Sequence, residues 1–147
     1  MRHSLTLAVA SMAIAGAAQA GVFSTGNLVL LRVDGNVNTG GAISMLEVSS
    51  SGSTVQTIAV PSGNGGLQVS GTATSEGQFS RNASGDSWTI SGYVAPYTGT
   101  GSLASRTSVQ APRGFATVGI DGSVSSVTGL GTSAYSAQNI RCGVQSG

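Results

Sequence analysis

Short runs of Val, Ile, Leu and Thr, each stopped by a polar turn that carries Gly, restrict this chain to antiparallel β structure. The stretch from Gly71 to Tyr93 is the clearest case. Gln78-Phe79-Ser80 enters, Asn82-Ala83-Ser84-Gly85-Asp86 turns, and Ser87-Trp88-Thr89-Ile90-Ser91 returns with Trp88 and Ile90 at a period of two. Gly92-Tyr93 closes it. This hairpin holds the only Trp of a chain with 3 Phe and 3 Tyr, so it concentrates scarce bulky apolar volume and should organise the core.

Other segments repeat the pattern. Asn27–Val33 is a nearly continuous apolar run stopped by Asp34-Gly35, and is expected as a strand buried on both faces. Ala42–Val48 and Thr54–Val60 flank Ser49-Ser50-Ser51-Gly52-Ser53 as a second hairpin, ended by Pro61. Ser62–Gly66 and Tyr97–Gly101 read as loops. Phe115–Val118 and Ser123–Val127 flank the Gly119-Ile120-Asp121-Gly122 turn, and Gly129–Ser136 reads as loop. Asn139–Val144 is expected to begin a last strand. The density of Gly, Ser and β-branched residues leaves no 3.6-residue apolar period, so no helix is expected.

Gly52 and Gly122 occupy matching points of two hairpins, 70 residues apart, and Gly85 and Gly147 do so 62 residues apart. Each unit is a hairpin, a loop and a second hairpin. Four-stranded units in series are the pattern of propeller blades. The expected fold is therefore all-β, with antiparallel hairpins forming a partial β-propeller of about one and a half to two blades. A small β-sandwich is the alternative. Gln145-Ser146-Gly147 matches the turn Ala83-Ser84-Gly85 but lacks a return strand, so the repeat region 21–147 is expected to be incomplete at its C-terminus.

Met1-Arg2-His3 is a positive n-region, Leu5–Ala18 an apolar stretch, and Ala18-Gln19-Ala20 a small-x-small site. Residues 1–20 thus read as a signal peptide cleaved after Ala20. The apolar stretch is shorter than the ~20 residues a membrane span needs. The product would be secreted, periplasmic or at the cell surface, with no membrane span. All 6 basic residues are Arg, and one of them, with the only His, lies in the leader. Gly21 onward then balances five Arg against five acids. That charge balance excludes a basic stripe for nucleic acid.

The runs GNLVLLRV, VSSSGSTVQTIAVP, SGTATSEGQFSRNASGDSWTISGY and AQNIR resemble a group of secreted bacterial proteins. Those proteins look like β-propellers built of degenerate repeats and carry no established activity. The similarity spans most of Gly26–Gly147, with TATSEG its most specific part. It implies the fold and the location, and that this chain is a truncated member of a longer type. It implies nothing about chemistry.

Without His or Lys after residue 20, neither a Ser/His/Asp triad nor a Ser-Lys dyad can be assembled. Cys142, the only Cys, has no His partner and is expected to be buried in a strand, with pairing between chains as the alternative. Gly99–Ala104 fits a loose phosphate-loop pattern without strand and helix around it, so it reads as plain loop. Asp34-Gly35 and Asp121-Gly122 read as turns, since neither offers the several oxygens Ca²⁺ needs. Asn82-Ala83-Ser84 is a glycosylation sequon on a turn. No catalytic, cofactor or metal residue is expected.

Three residues remain as site candidates. Glu76 is the one acid away from a turn centre, free to pair with Arg81 or another Arg, or to face a channel. Trp88 is expected in the core, and if exposed beside Tyr93 it would form a glycan-binding platform. The expected role is a non-catalytic exported module, structural or binding protein or glycan. An extracellular propeller enzyme whose catalytic residues lie in further blades is the alternative.

Overall fold

The computed structural model describes residues 20–35, 39–94, 96–97 and 99–144. Residues 1–19 of the segment read as a leader, and Gln145-Ser146-Gly147, read as a turn, lie outside the described residues. Eight strands follow in chain order: β1 (Leu28–Asp34), β2 (Gly40–Val48), β3 (Thr54–Ala59), β4 (Leu67–Ser70), β5 (Phe79–Arg81), β6 (Ser87–Val94), β7 (Arg113–Gly119) and β8 (Thr128–Gly129). A single 3₁₀ turn, Leu103–Ser105, is the only helical element among the described residues. The protein is all-β, and its strands form one open antiparallel sheet in the order β1-β2-β4-β6-β7-β8, with β3 added to β2 and β5 to β6.

Two hairpin groups meet at β4. The first is β1-β2-β3, where Leu30 faces Leu46 and Met45 faces Ile58. The second is β5-β6-β7, where Trp88 lies between Arg81 and Val118. β4 joins them by splitting its partners: Leu67 and Gln68 pair with Val94 and Tyr93, while Val69 and Ser70 pair with Gly41 and Gly40. Gly92 allows this crossing, because a Cβ there would stand 2.7 Å from the Gln68 carbonyl oxygen. β4 is absent from the sequence reading, which runs from loop straight into the organising hairpin.

Both groups turn one face to a common core. Ile43, Met45 and Ile58 come from the first group, Leu67 and Val69 from β4, and Trp88, Ile90, Ala116 and Val118 from the second. Residues alternate in and out along each strand, so the even positions of β6 reach this core and the odd ones reach the opposite face. That opposite face carries a second cluster of Tyr93, Leu103, Ala111 and Ile140. β6 is therefore buried on both sides, and the hairpin that carries it is central, as expected from its apolar content.

The turns stand where the polar Gly-bearing segments place them. Gly52, Gly85 and Gly122 take positive φ of 84°, 76° and 80°. Four expectations are corrected. β1 is an edge strand with alternating exposure, not buried on both faces, since Leu28 and Leu30 face solvent. Asn139–Val144 forms no strand; it runs as an irregular strip over β5 and β6, where the Ser80 hydroxyl donates to the Gly143 carbonyl. Cys142 on that strip is exposed rather than buried. The return after Gly122 is reduced to a bridge from Val124 to Val118, followed by the two-residue β8.

Candidate functional site

The face of β6 turned away from the main core presents Thr89, Ser91 and Tyr93 beside Thr117, Phe115 and Arg113 of β7. Segments 102–111 and 130–144 cover it. This is where the sheet, the loops and most of the polar chemistry converge.

At one end lies a buried polar cluster. The Tyr93 hydroxyl donates to Glu76 Oε1 at 3.0 Å, and the Ser70 N–H donates to Glu76 Oε2 at 3.0 Å. Burial, reinforced by the Glu76 carboxylate, pushes the Tyr93 phenol well above its ordinary value, so it stays protonated and acts as a donor. Arg113 lies over the Tyr93 ring at 5.0 Å and is fully buried. Its guanidinium donates to the carbonyls of Arg106 and Ala111 at 2.9 Å, Ala104 at 3.0 Å, and Gln138 at 3.1 and 2.6 Å. Burial lowers its pKa, an effect opposed by Tyr93 and Glu76. Every N–H of the fork is used on backbone, so Arg113 fixes loops and is not free to grip a ligand.

Beside this cluster the face opens into a groove of about 720 Å³. Thr89, Ser91, Phe115 and Thr117 form its floor, and Leu130, Tyr135 and the strip Asn139–Val144 its walls. The Thr89 and Ser91 hydroxyls are buried and have no hydrogen-bond partner. Tyr135 is 59 % exposed and holds a left-handed backbone with φ of 53°, and Ala137 shares that conformation at 52°. Among the described residues no acidic side chain lines the groove, and Arg141 is its one cation.

Of the three residues singled out from sequence, Glu76 and Tyr93 are brought together and Trp88 is not. Glu76 pairs with a tyrosine rather than with Arg81, which instead bonds the Gly85 carbonyl at 2.9 Å and lies 5.7 Å over the Trp88 ring. Trp88 is 7 % exposed on the opposite face of β6, and Tyr93 is fully buried. The two therefore form no surface platform. Arg113, Tyr135 and the Thr89-Ser91 floor were missed by the sequence reading. The odd-position run Thr89, Ser91, Tyr93 was its only available signal. Among the described residues no group of three or more His, Cys, Asp or Glu could hold a metal ion, and no helix is long and apolar enough to cross a membrane.

Comparison with family models, with curated proteins and with solved structures finds no match.

Proposed function

We propose that this chain is an exported, non-catalytic β-module that binds a neutral glycan chain in the groove over β6 and β7. The observation that carries the reading is Tyr135. An exposed aromatic ring held in a strained backbone conformation is costly unless used, and it stands at the rim of a groove whose floor is hydroxyl-rich. A sugar ring offers an apolar face to Tyr135 and Phe115, and hydroxyls to Thr117 and Asn139. The absence of lining carboxylates and the single Arg141 favour an uncharged ligand over a strongly charged one.

The test is affinity electrophoresis of the exported protein through gels containing neutral polysaccharides. Retardation by at least one polymer, lost in Tyr135→Ala with the fold intact by circular dichroism, supports the reading. No retardation, or retardation unchanged in the variant, defeats it.

A second reading concerns assembly. The outer face of the first hairpin group is uncovered, with Leu28, Leu30 and Val55 at 62, 49 and 53 % exposure, while the equivalent face of the second group is covered. An apolar sheet face beside an open edge strand suits packing against a further sheet, as between propeller blades. Light scattering of the exported protein checks it: a dimer or larger species that Leu30→Glu returns to monomer supports this reading.

A further inference from the structure

Glu47 is the one fully buried carboxylate, at 1 % exposure on the core side of β2. It accepts from the Ser24 N–H at 2.7 Å and the Asn27 side-chain amide at 2.6 Å through Oε1, and from the Gln56 amide at 2.7 Å through Oε2. All three donors are neutral. The ion pair found among the described residues, Arg32 with Asp34, lies elsewhere on an exposed edge. Burial pulls the Glu47 carboxyl upward, but the three donors together hold it below its ordinary value, so it is charged. A buried charge without a counter-charge is uncommon.

The arm leading into β1 reaches Glu47 through a shared partner, Gln56. Gln56 grips Gly21 from both sides: the Gly21 N–H donates to Gln56 Oε1 at 2.8 Å, and Gln56 Nε2 donates to the Gly21 carbonyl at 3.1 Å. The same Nε2 donates to Glu47. The arm also holds the other hairpin group. The Phe23 N–H donates to the Ile120 carbonyl at 2.8 Å, and the Phe23 ring meets Trp88 at 4.6 Å. Gly122 leaves room for it, since a Cβ there would lie 2.9 Å from the Gly21 carbonyl oxygen.

We infer that the Ala20–Gly21 bond is a processing site whose new terminus is a structural part of the fold: the Gly21 α-ammonium sits on Gln56 and supplies the counter-charge that Glu47 lacks. This rests on reading residues 1–20 as a removable leader. The step is hydrolysis by a leader endopeptidase. Water adds across the peptide bond, Ala20 leaves as a carboxylate on the leader, and Gly21 keeps its nitrogen as an ammonium at neutral pH. The N–H that donates to Gln56 Oε1 is retained as one of three. Processing therefore adds charge to a clasp already built, and locks the arm across both hairpin groups.

No Lys stands between Gly21 and Gly147, so this α-amine is the only primary amine of that stretch. That makes a clean experiment. The exported protein is compared with the same protein acetylated at its single amine. The acetyl group restores an amide N–H to Gln56 and stands where the Ala20 carbonyl and Cα stood against Gly122, so the charge is the main difference between the two forms. The acetylated form should melt roughly 3–6 °C lower. In Gln56→Ala the difference should fall below about 1 °C, because the link to Glu47 is gone. Equal melting of the two forms in the parent, or the same difference in Gln56→Ala, would overturn the clasp. Intact mass separates that failure from failure of the leader: a product that does not begin at Gly21 overturns the processing site itself.

Discussion

Truncating Trp88 to Ala tests whether the β5-β6 hairpin anchors the main core. Its side chain is 93 % withdrawn from solvent, and aromatic side chains bury roughly 150–250 Å² each. Truncation of such a residue costs about 3–5 kcal/mol. The contact with Phe23, at 4.6 Å between centroids and 59° between planes, adds roughly 0.5–1.5 kcal/mol of ring–ring attraction. Arg81 over the indole adds about 0.5 kcal/mol, since it is exposed. The loss sums to about 4–7 kcal/mol, against a total stability of about 5–15 kcal/mol for a domain of this kind. Urea unfolding followed by far-ultraviolet circular dichroism is the assay, because the variant has no Trp fluorescence. The transition should shift to much lower urea or disappear. Phe23→Leu supplies the control: its cost should shrink by about 0.5–1.5 kcal/mol in the Trp88→Ala background. A Trp88→Ala midpoint equal to the parent's, or strictly additive costs, would refute the packing described for these two rings.

Two further outcomes are expected. Glu47 has a folded-state pKa below its ordinary 4.5, so its contribution is present above that value and disappears as pH falls through the folded one. Glu47→Gln should therefore flatten the acid limb of the stability profile below about pH 4.5, measured by urea midpoint against pH; an unchanged limb would assign the acid sensitivity to Asp86 and Asp121, which Asn82 and Ser123 hold low. Tyr93→Phe removes the donor to Glu76 and should cost about 1.5–3 kcal/mol in the same urea experiment, with a value near zero showing that water replaces the hydroxyl.

The hairpins were legible because turn chemistry is local. Gly52, Gly85 and Gly122 each need positive φ, and the residues around them carry the polar groups that close a turn. Edges and covers were not legible, because both are decided by neighbours distant in sequence. The apolar run of β1 reads like an interior strand, yet Leu28 and Leu30 face outward at the sheet margin. β4 has four residues, too few to display a period, and its burial on all four comes from being shared between two hairpin groups. Cys142 lies two residues after Ile140 in a run that reads as a strand. That run gains no ladder partner and lies as a strip with the thiol outward.

The site was less legible than the fold for a related reason. Glu76 was singled out as an acid away from a turn centre, but its partner Tyr93 is 17 residues away and is aligned by β4 pairing to β6. Arg113 and Glu47 carry the same lesson from opposite signs. In a chain with 7 % charged residues, two ions are fully buried, and each is solvated by groups that no strand satisfies. Segments 102–111 and 130–144 form almost no ladder, so their carbonyls need donors from elsewhere. Arg113 supplies five hydrogen bonds to four of them, including Gln138 beside the groove wall. Glu47 does the converse for the N-terminal arm, collecting the Ser24 N–H and the Asn27 amide. The buried ions thus stand in for missing secondary structure, one on each side of the sheet. The strip that walls the groove is positioned through Arg113, and so the groove's shape depends on a residue whose guanidinium is already filled by backbone.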